Sequence, residues 1–236
     1  MVIKQHEIDS DAQKLRSSIY TTLIFVFVIW LVKIIEWSLG VSFASFGILP
    51  RTVTGLKGIL FSPFLHGDAA HIITNTVPLM LLGIGLLYFY QRIAYEVFFW
   101  MFLSTGIWTW IIARNSYHIG ASGLIYALAA FLFFSRMFRK DNRLMIVSMV
   151  ILFLYGGMIH GVFPNAVEER ISWESHLMGA LSGFFLAIYF RKEKTGDEIA
   201  VIHEDEENDD KTNSVSSTGN ISWRYTYKES KPDDDN

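Results

Sequence analysis

HIGASGLIYALAAFLFF, residues 118–134, is apolar enough to enter a bilayer, yet it opens on a histidine and on a serine framed by Gly120 and Gly123. From that serine onward, Ser122, Tyr126, Ala129 and Phe133 follow helical spacing on one face. Gly123, Ala127 and Ala130 keep the helix slim, which suits a central place among packed membrane helices. The reading therefore predicts a membrane helix with a polar, chemically capable mouth.

The rest of the chain agrees with a membrane setting. Of 236 residues, 51% are apolar, and mean hydropathy is +0.31 despite a polar C-terminal tail. Apolar runs recur at Ile19–Leu39, Ile72–Tyr90, Val97–Ala113, Ala121–Phe138, Leu144–Phe163 and Ser175–Phe190. A bilayer core of about 30 Å needs roughly 20 such residues per helix, so six spans are expected. No small-residue cleavage site follows the first run, which reads as a retained helix rather than a leader. Lys33 and Glu36 lie three apart near the end of that run, placed to pair or to snorkel.

Cysteine is absent, so disulfides and thiolate metal sites are excluded. A net charge of −3 is too small to argue for nucleic acid. Basic residues divide unevenly. One side of the membrane would carry eleven (Lys4, Lys14, Arg16, Arg92, Arg136, Arg139, Lys140, Arg143, Arg191, Lys192 and Lys194), and the other four. The positive-inside rule then places both termini in the cytoplasm. The second, fourth and sixth runs all begin at the outer side, where His71, Ser122 and His176 meet the membrane at one level.

The sixth run reads SHLMGALSGFFLAIYF, with His176, Gly179, Ala180 and Gly183 on one face. A small-residue face lets two helices approach closely. If it packs on the slim fourth run, Ser122 meets His176, and an imidazole can take the serine proton to make a competent nucleophile. Tyr126, one turn below Ser122, is placed to orient that imidazole. In the second run, His71 and Asn75 share a face and can supply donors to an oxyanion beside the Ser122 amide. His118 is expected as a solvent-facing loop residue. The fourth and sixth runs are short in strict apolar length, which would leave a water-filled hollow above the pair.

These residues resemble the rhomboid intramembrane serine proteases over roughly Ile19 to Phe190. The matching motifs are Gly-x-Ser-Gly at Gly120–Gly123, His-x-x-x-Asn at His71–Asn75, and His-x-x-Gly-x-x-x-Gly at His176–Gly183. The resemblance implies an all-α, six-helix bundle in a membrane, most simply a bacterial inner membrane. It implies Ser122 as nucleophile, His176 as general base, an oxyanion site of His71, Asn75 and the Ser122 amide, and support from Tyr126. It further implies transmembrane protein substrates cut near where they enter the outer side of the membrane, with no metal and no cofactor. The fifth helix and PNAVEERISWES, residues 164–175, would gate and cap the site. A Trp-Arg pair found in the first loop of some members is missing here.

Rival readings are an inactive rhomboid-like factor that binds membrane proteins, a transporter, and a zinc protease. The chain keeps both dyad residues, shows no internal repeat, and offers only His66, Asp68 and His71 in HGDAAH as metal candidates, without a matching third site. Residues 1–18 read as a cytoplasmic segment, 19–190 as the membrane domain and 191–236 as a polar, acidic tail. HEDEENDDK and KPDDDN give that tail the composition of a disordered segment, and deleting residues 196–236 is expected to leave peptidase activity intact.

Overall fold

The computed structural model describes residues 2–139 and 172–193. The predicted fifth run, most of the capping loop and the acidic tail lie outside them. The fold is all-α: α1 (Val2–Leu39), a short α2 (Gly58–Phe61), α3 (Ala69–Phe89), α4 (Ala94–Ile112), α5 (Ser122–Arg139) and α6 (Trp173–Tyr189). Among the described residues the one β-type contact is an isolated antiparallel bridge between Ile48 and His118. Ser10–Leu39, Ala69–Phe89 and Ala94–Ile112 are each long and apolar enough to cross a membrane. The chain is an integral membrane protein.

Five of the six predicted runs are helices, four of them within a few residues of both expected ends. The largest difference is at the start, where α1 begins at Val2 rather than near Ile19. No glycine or proline stands between residues 2 and 39, so nothing stops the helix from extending through its polar first part. Its C-terminus is sharply marked. Gly40 adopts φ +63°, and the Val41 N–H reaches back to the Glu36 carbonyl at 3.2 Å. This is the left-handed glycine closure that satisfies terminal carbonyls. At the start of α3, Asp68 caps the helix by accepting the His71 N–H at 2.8 Å.

Lipid offers apolar side chains no solvophobic advantage, so close packing must hold the helices together. Leu82 and Leu86 of α3, Val97 and Met101 of α4, and Leu128, Phe131 and Leu132 of α5 are fully buried together. Phe27, Phe99 and Phe185 face outward. Helix α5 is central, as its small residues predict. Its tightest neighbour is α6, where Gly179 backs directly onto the Gly123 carbonyl and Gly183 onto the Ala127 carbonyl. Two backbones touch there with no side chain between them.

The first loop is fixed to the far end of α4 by two reciprocal ties. Arg51 Nη1 donates to the carbonyls of Ala113 (2.8 Å) and Ile111 (3.1 Å). Trp110 Nε1 donates to the Thr52 carbonyl at 2.9 Å. An arginine from the loop and a tryptophan from the helix hold this loop without an adjacent Trp-Arg pair. The loop then delivers Ser62, whose carbonyl accepts the Gly120 N–H at 2.8 Å, just ahead of α5.

Candidate active site

Ser122 is the first residue of α5, and His176 lies one turn into α6. The glycine seam draws these helix starts together, and Ser122 Oγ stands 2.8 Å from His176 Nε2. That is an ordinary hydrogen-bond length for proton transfer between a hydroxyl and an imidazole. The Tyr126 ring lies flat on His176, with centroids 4.3 Å apart and planes 10° from parallel. Such stacking removes rotational freedom from the imidazole. His176 is buried, while Ser122 is partly open. Glu174, two residues before His176, is buried and turns its Oε1 toward Arg114, whose Nη1 lies 3.6 Å away.

Gly120 explains the first glycine of the motif. Its φ of +115° is unfavourable for any residue with a Cβ. A Cβ at that position would also lie 2.7 Å from His71 Nε2 and 3.7 Å from Asn75 Nδ2. Thus His71 and Asn75 converge beside Gly120, two residues before the serine. The Gly67 N–H points at His71 Nδ1 over 3.4 Å, which assigns the ring proton to Nε2, on the Gly120 side. Gly123 is constrained as well, since a Cβ there would lie 3.0 Å from Thr105 Cγ2 and 3.1 Å from the Ser175 carbonyl.

In the sequence His66 stands out only as a metal candidate beside Asp68 and His71. Among the described residues no group of His, Asp and Glu side chains is arranged to hold a metal ion. Instead, buried His66 sets its Nε2 3.0 Å from Asn75 Nδ2 and 3.5 Å from the Ala121 N–H. Its ring meets that of His71 edge-on at 4.9 Å. Burial, reinforced by the neighbouring His71, pushes the His66 pKa down to about 3, so the ring is neutral and Nε2 is free to accept. The only available signal was position: His66 immediately precedes the Gly-Asp cap of a helix bearing two polar site candidates.

The buried pair Lys33 and Glu36 does meet, at 3.0 Å. Lys33 Nζ also donates to the carbonyls of His66 (2.7 Å) and Gly67 (3.1 Å).

His118 corrects an expectation. It is not solvent-facing but 3% exposed. Its backbone pairs with Ile48, its Nδ1 lies 2.5 Å from Ser172 Oγ, and its Nε2 lies 3.0 Å from the Arg114 carbonyl. The loop is folded inward because the first loop lies across it. With both ring nitrogens engaged, His118 ties the approach to α5 to the approach to α6.

A polytopic helical membrane protein with a serine–imidazole pair at a glycine-packed helix junction is the class defined by this fold and site. Residues 53–193 match the Rhomboid domain family. An uncharacterized protein of Mycobacterium bovis and another of Mycobacterium tuberculosis are each 34% identical over 179 residues, covering 71% of this chain and 72% of theirs. An uncharacterized protein of Mycobacterium leprae is 36% identical over 176 residues, covering 71% of this chain and 69% of its own. No solved structure matches the chain. The chain belongs to the rhomboid family, which is of the intramembrane-protease type.

Proposed function

We propose that this chain is an intramembrane serine endopeptidase that hydrolyses transmembrane proteins near the outer side of a bacterial inner membrane. The observation that carries this reading is the 2.8 Å contact between Ser122 Oγ and His176 Nε2, with Tyr126 stacked on the imidazole. Family membership supports the reaction class, and the bacterial relatives support the compartment. The basic-residue distribution supports cytoplasmic termini.

In this mechanism His176 Nε2 takes the Ser122 hydroxyl proton as Oγ bonds to the scissile carbonyl carbon. The carbonyl π pair moves onto oxygen. His71 Nε2–H, an Asn75 Nδ2–H and the Ser122 N–H receive that charge. When the intermediate collapses, the C–N bond breaks and His176 returns its proton to the departing amine. Water then repeats the sequence against the acyl-serine and frees the enzyme. His66 Nε2 accepts one Asn75 hydrogen, leaving the second for the oxyanion.

The test is cleavage of a transmembrane substrate by the purified full chain in detergent. Ser122→Ala and His176→Ala are expected to abolish cleavage, while His118→Ala continues to cut. Wild-type cleavage by Ser122→Ala refutes the assignment. A wild type that neither cuts nor labels with a serine-directed fluorophosphonate supports the inactive binding factor instead.

A further inference from the structure

An ion pair inside a membrane helix is costly, and apolar residues of similar volume would often pack at least as well. Lys33 and Glu36 are nevertheless only 6% and 4% exposed within the first membrane span. All three donor positions of the Lys33 ammonium are used: on Glu36 Oε2 at 3.0 Å, on the His66 carbonyl at 2.7 Å and on the Gly67 carbonyl at 3.1 Å. The second oxygen of Glu36 accepts the Phe43 N–H at 2.5 Å, so neither partner can swing away alone.

The two residues whose carbonyls Lys33 grips are the ones that hold the donor side of the site. The His66 ring meets Asn75 Nδ2, the Ala121 N–H and the edge of His71. The Gly67 N–H meets His71 Nδ1. One short segment, 66–67, therefore faces the ion pair with its carbonyls and the oxyanion donors with its ring and N–H. A merely stabilising pair has no need of that choice of partners.

We infer that the Lys33–Glu36 pair is a positioning element for the oxyanion donors, acting from α1 through the backbone of His66 and Gly67. Lys33 touches no reacting atom. Its ammonium sets where the His66 ring stands, and His66 sets which way the Asn75 amide faces. This inference rests on the peptidase reading above and assigns α1 a part in it.

The experiment compares wild type, Lys33→Met, Lys33→Arg and Ser122→Ala as purified full chains. It measures kcat and KM on a transmembrane substrate and the rate of fluorophosphonate labelling. Lys33→Met is repeated in an Asn75→Ala background. For Lys33→Met we expect kcat and labelling to fall about ten- to a hundredfold with KM within about twofold, the signature of misplaced transition-state contacts. Lys33→Arg, which keeps donors for the same carbonyls, should stay within about threefold of wild type. In the Asn75→Ala background Lys33→Met should cost at least about threefold less than in wild type, because the Asn75 contact is already gone and only the His71 side remains to be misplaced. If Lys33→Met does not fold, Glu36→Gln is read in the same two backgrounds by the same criteria. Unchanged kcat, or an equal loss with and without Asn75, overturns the inference while the peptidase reading survives. Cleavage by Ser122→Ala removes both.

Discussion

The glycine seam between α5 and α6 makes a quantitative prediction. Replacing Gly179 with alanine puts a methyl group 2.8 Å from the Gly123 carbonyl carbon, with the carbonyl oxygen closer still. Carbon atoms rest about 3.5 Å apart, so α6 must retreat from α5 by at least about 0.7 Å. The obstacle is backbone and cannot rotate away. His176 lies less than one turn from Gly179 and moves with it, carrying the 2.8 Å dyad contact to about 3.5 Å, beyond useful hydrogen bonding. A misplacement of this size lowers kcat/KM about a hundredfold, equivalent to about 2.7 kcal/mol. Overpacking would take a further ~1–3 kcal/mol from stability. The assay is cleavage of a transmembrane substrate together with fluorophosphonate labelling of Ser122, both scaled to the folded fraction from a melting curve in detergent. Gly85→Ala is the control, since a Cβ there meets Leu132 Cδ1 at an ordinary 3.5 Å. Wild-type labelling and cleavage by Gly179→Ala would show that backbone contact does not set the dyad distance.

Other substitutions separate the remaining parts of the site. Tyr126→Phe keeps the ring on His176 and should retain most activity, whereas Tyr126→Ala should lower kcat about tenfold, which a steady-state comparison of the two checks. Gly120→Ala should abolish Ser122 labelling, because the backbone there needs φ +115°, which a Cβ disfavours, and the new Cβ strikes His71; normal labelling would contradict the proposed arrangement. His66 has a folded pKa near 3 against an ordinary 6.5, so its contribution to stability is present above pH 6.5 and is lost as pH falls toward 3. By pH 5 that loss amounts to about 2 kcal/mol, and melting curves of His66→Gln should show a visibly shallower acid dependence than wild type. His118→Ala should lower the melting temperature by removing the Ser172 and Arg114 contacts, yet leave Ser122 reactive; loss of labelling in folded protein would give His118 a direct role.

What the sequence made legible follows from how each feature is encoded. The α5–α6 seam is written in small residues at fixed spacing, so Gly123, Gly179 and Gly183 could be matched before any coordinates. The pairing of Ser122 with His176 then followed from where those glycines sit relative to the helix starts. His66 left no such trace. It stands in a loop, without periodicity, and its partners Asn75 and Ala121 are brought to it only by tertiary folding. His118 is hidden for the same reason: a polar loop residue reads as solvent-facing, but the first loop folds over it and pairs with its backbone. The start of α1 precedes its apolar run because hydropathy marks where a helix becomes apolar, not where it begins. Lys33 and Glu36 read as a pair from their spacing, but the two carbonyls that Lys33 holds lie more than thirty residues downstream and carry no side-chain signature.

The direct contact of Gly179 with Gly123 divides the site mechanically. Ser122 and His176 are related through peptide planes and helical hydrogen bonds, which yield little to temperature or to a change of lipid. His71, Asn75 and His66 are related through side-chain torsions, a loop and an ammonium ion, all of which are softer. On the proposed mechanism, the proton-transferring half is thus stiff, and the charge-receiving half is compliant. A bilayer that thins, thickens or stiffens would be felt first in how well an oxyanion is met, and only later in whether the serine can be deprotonated.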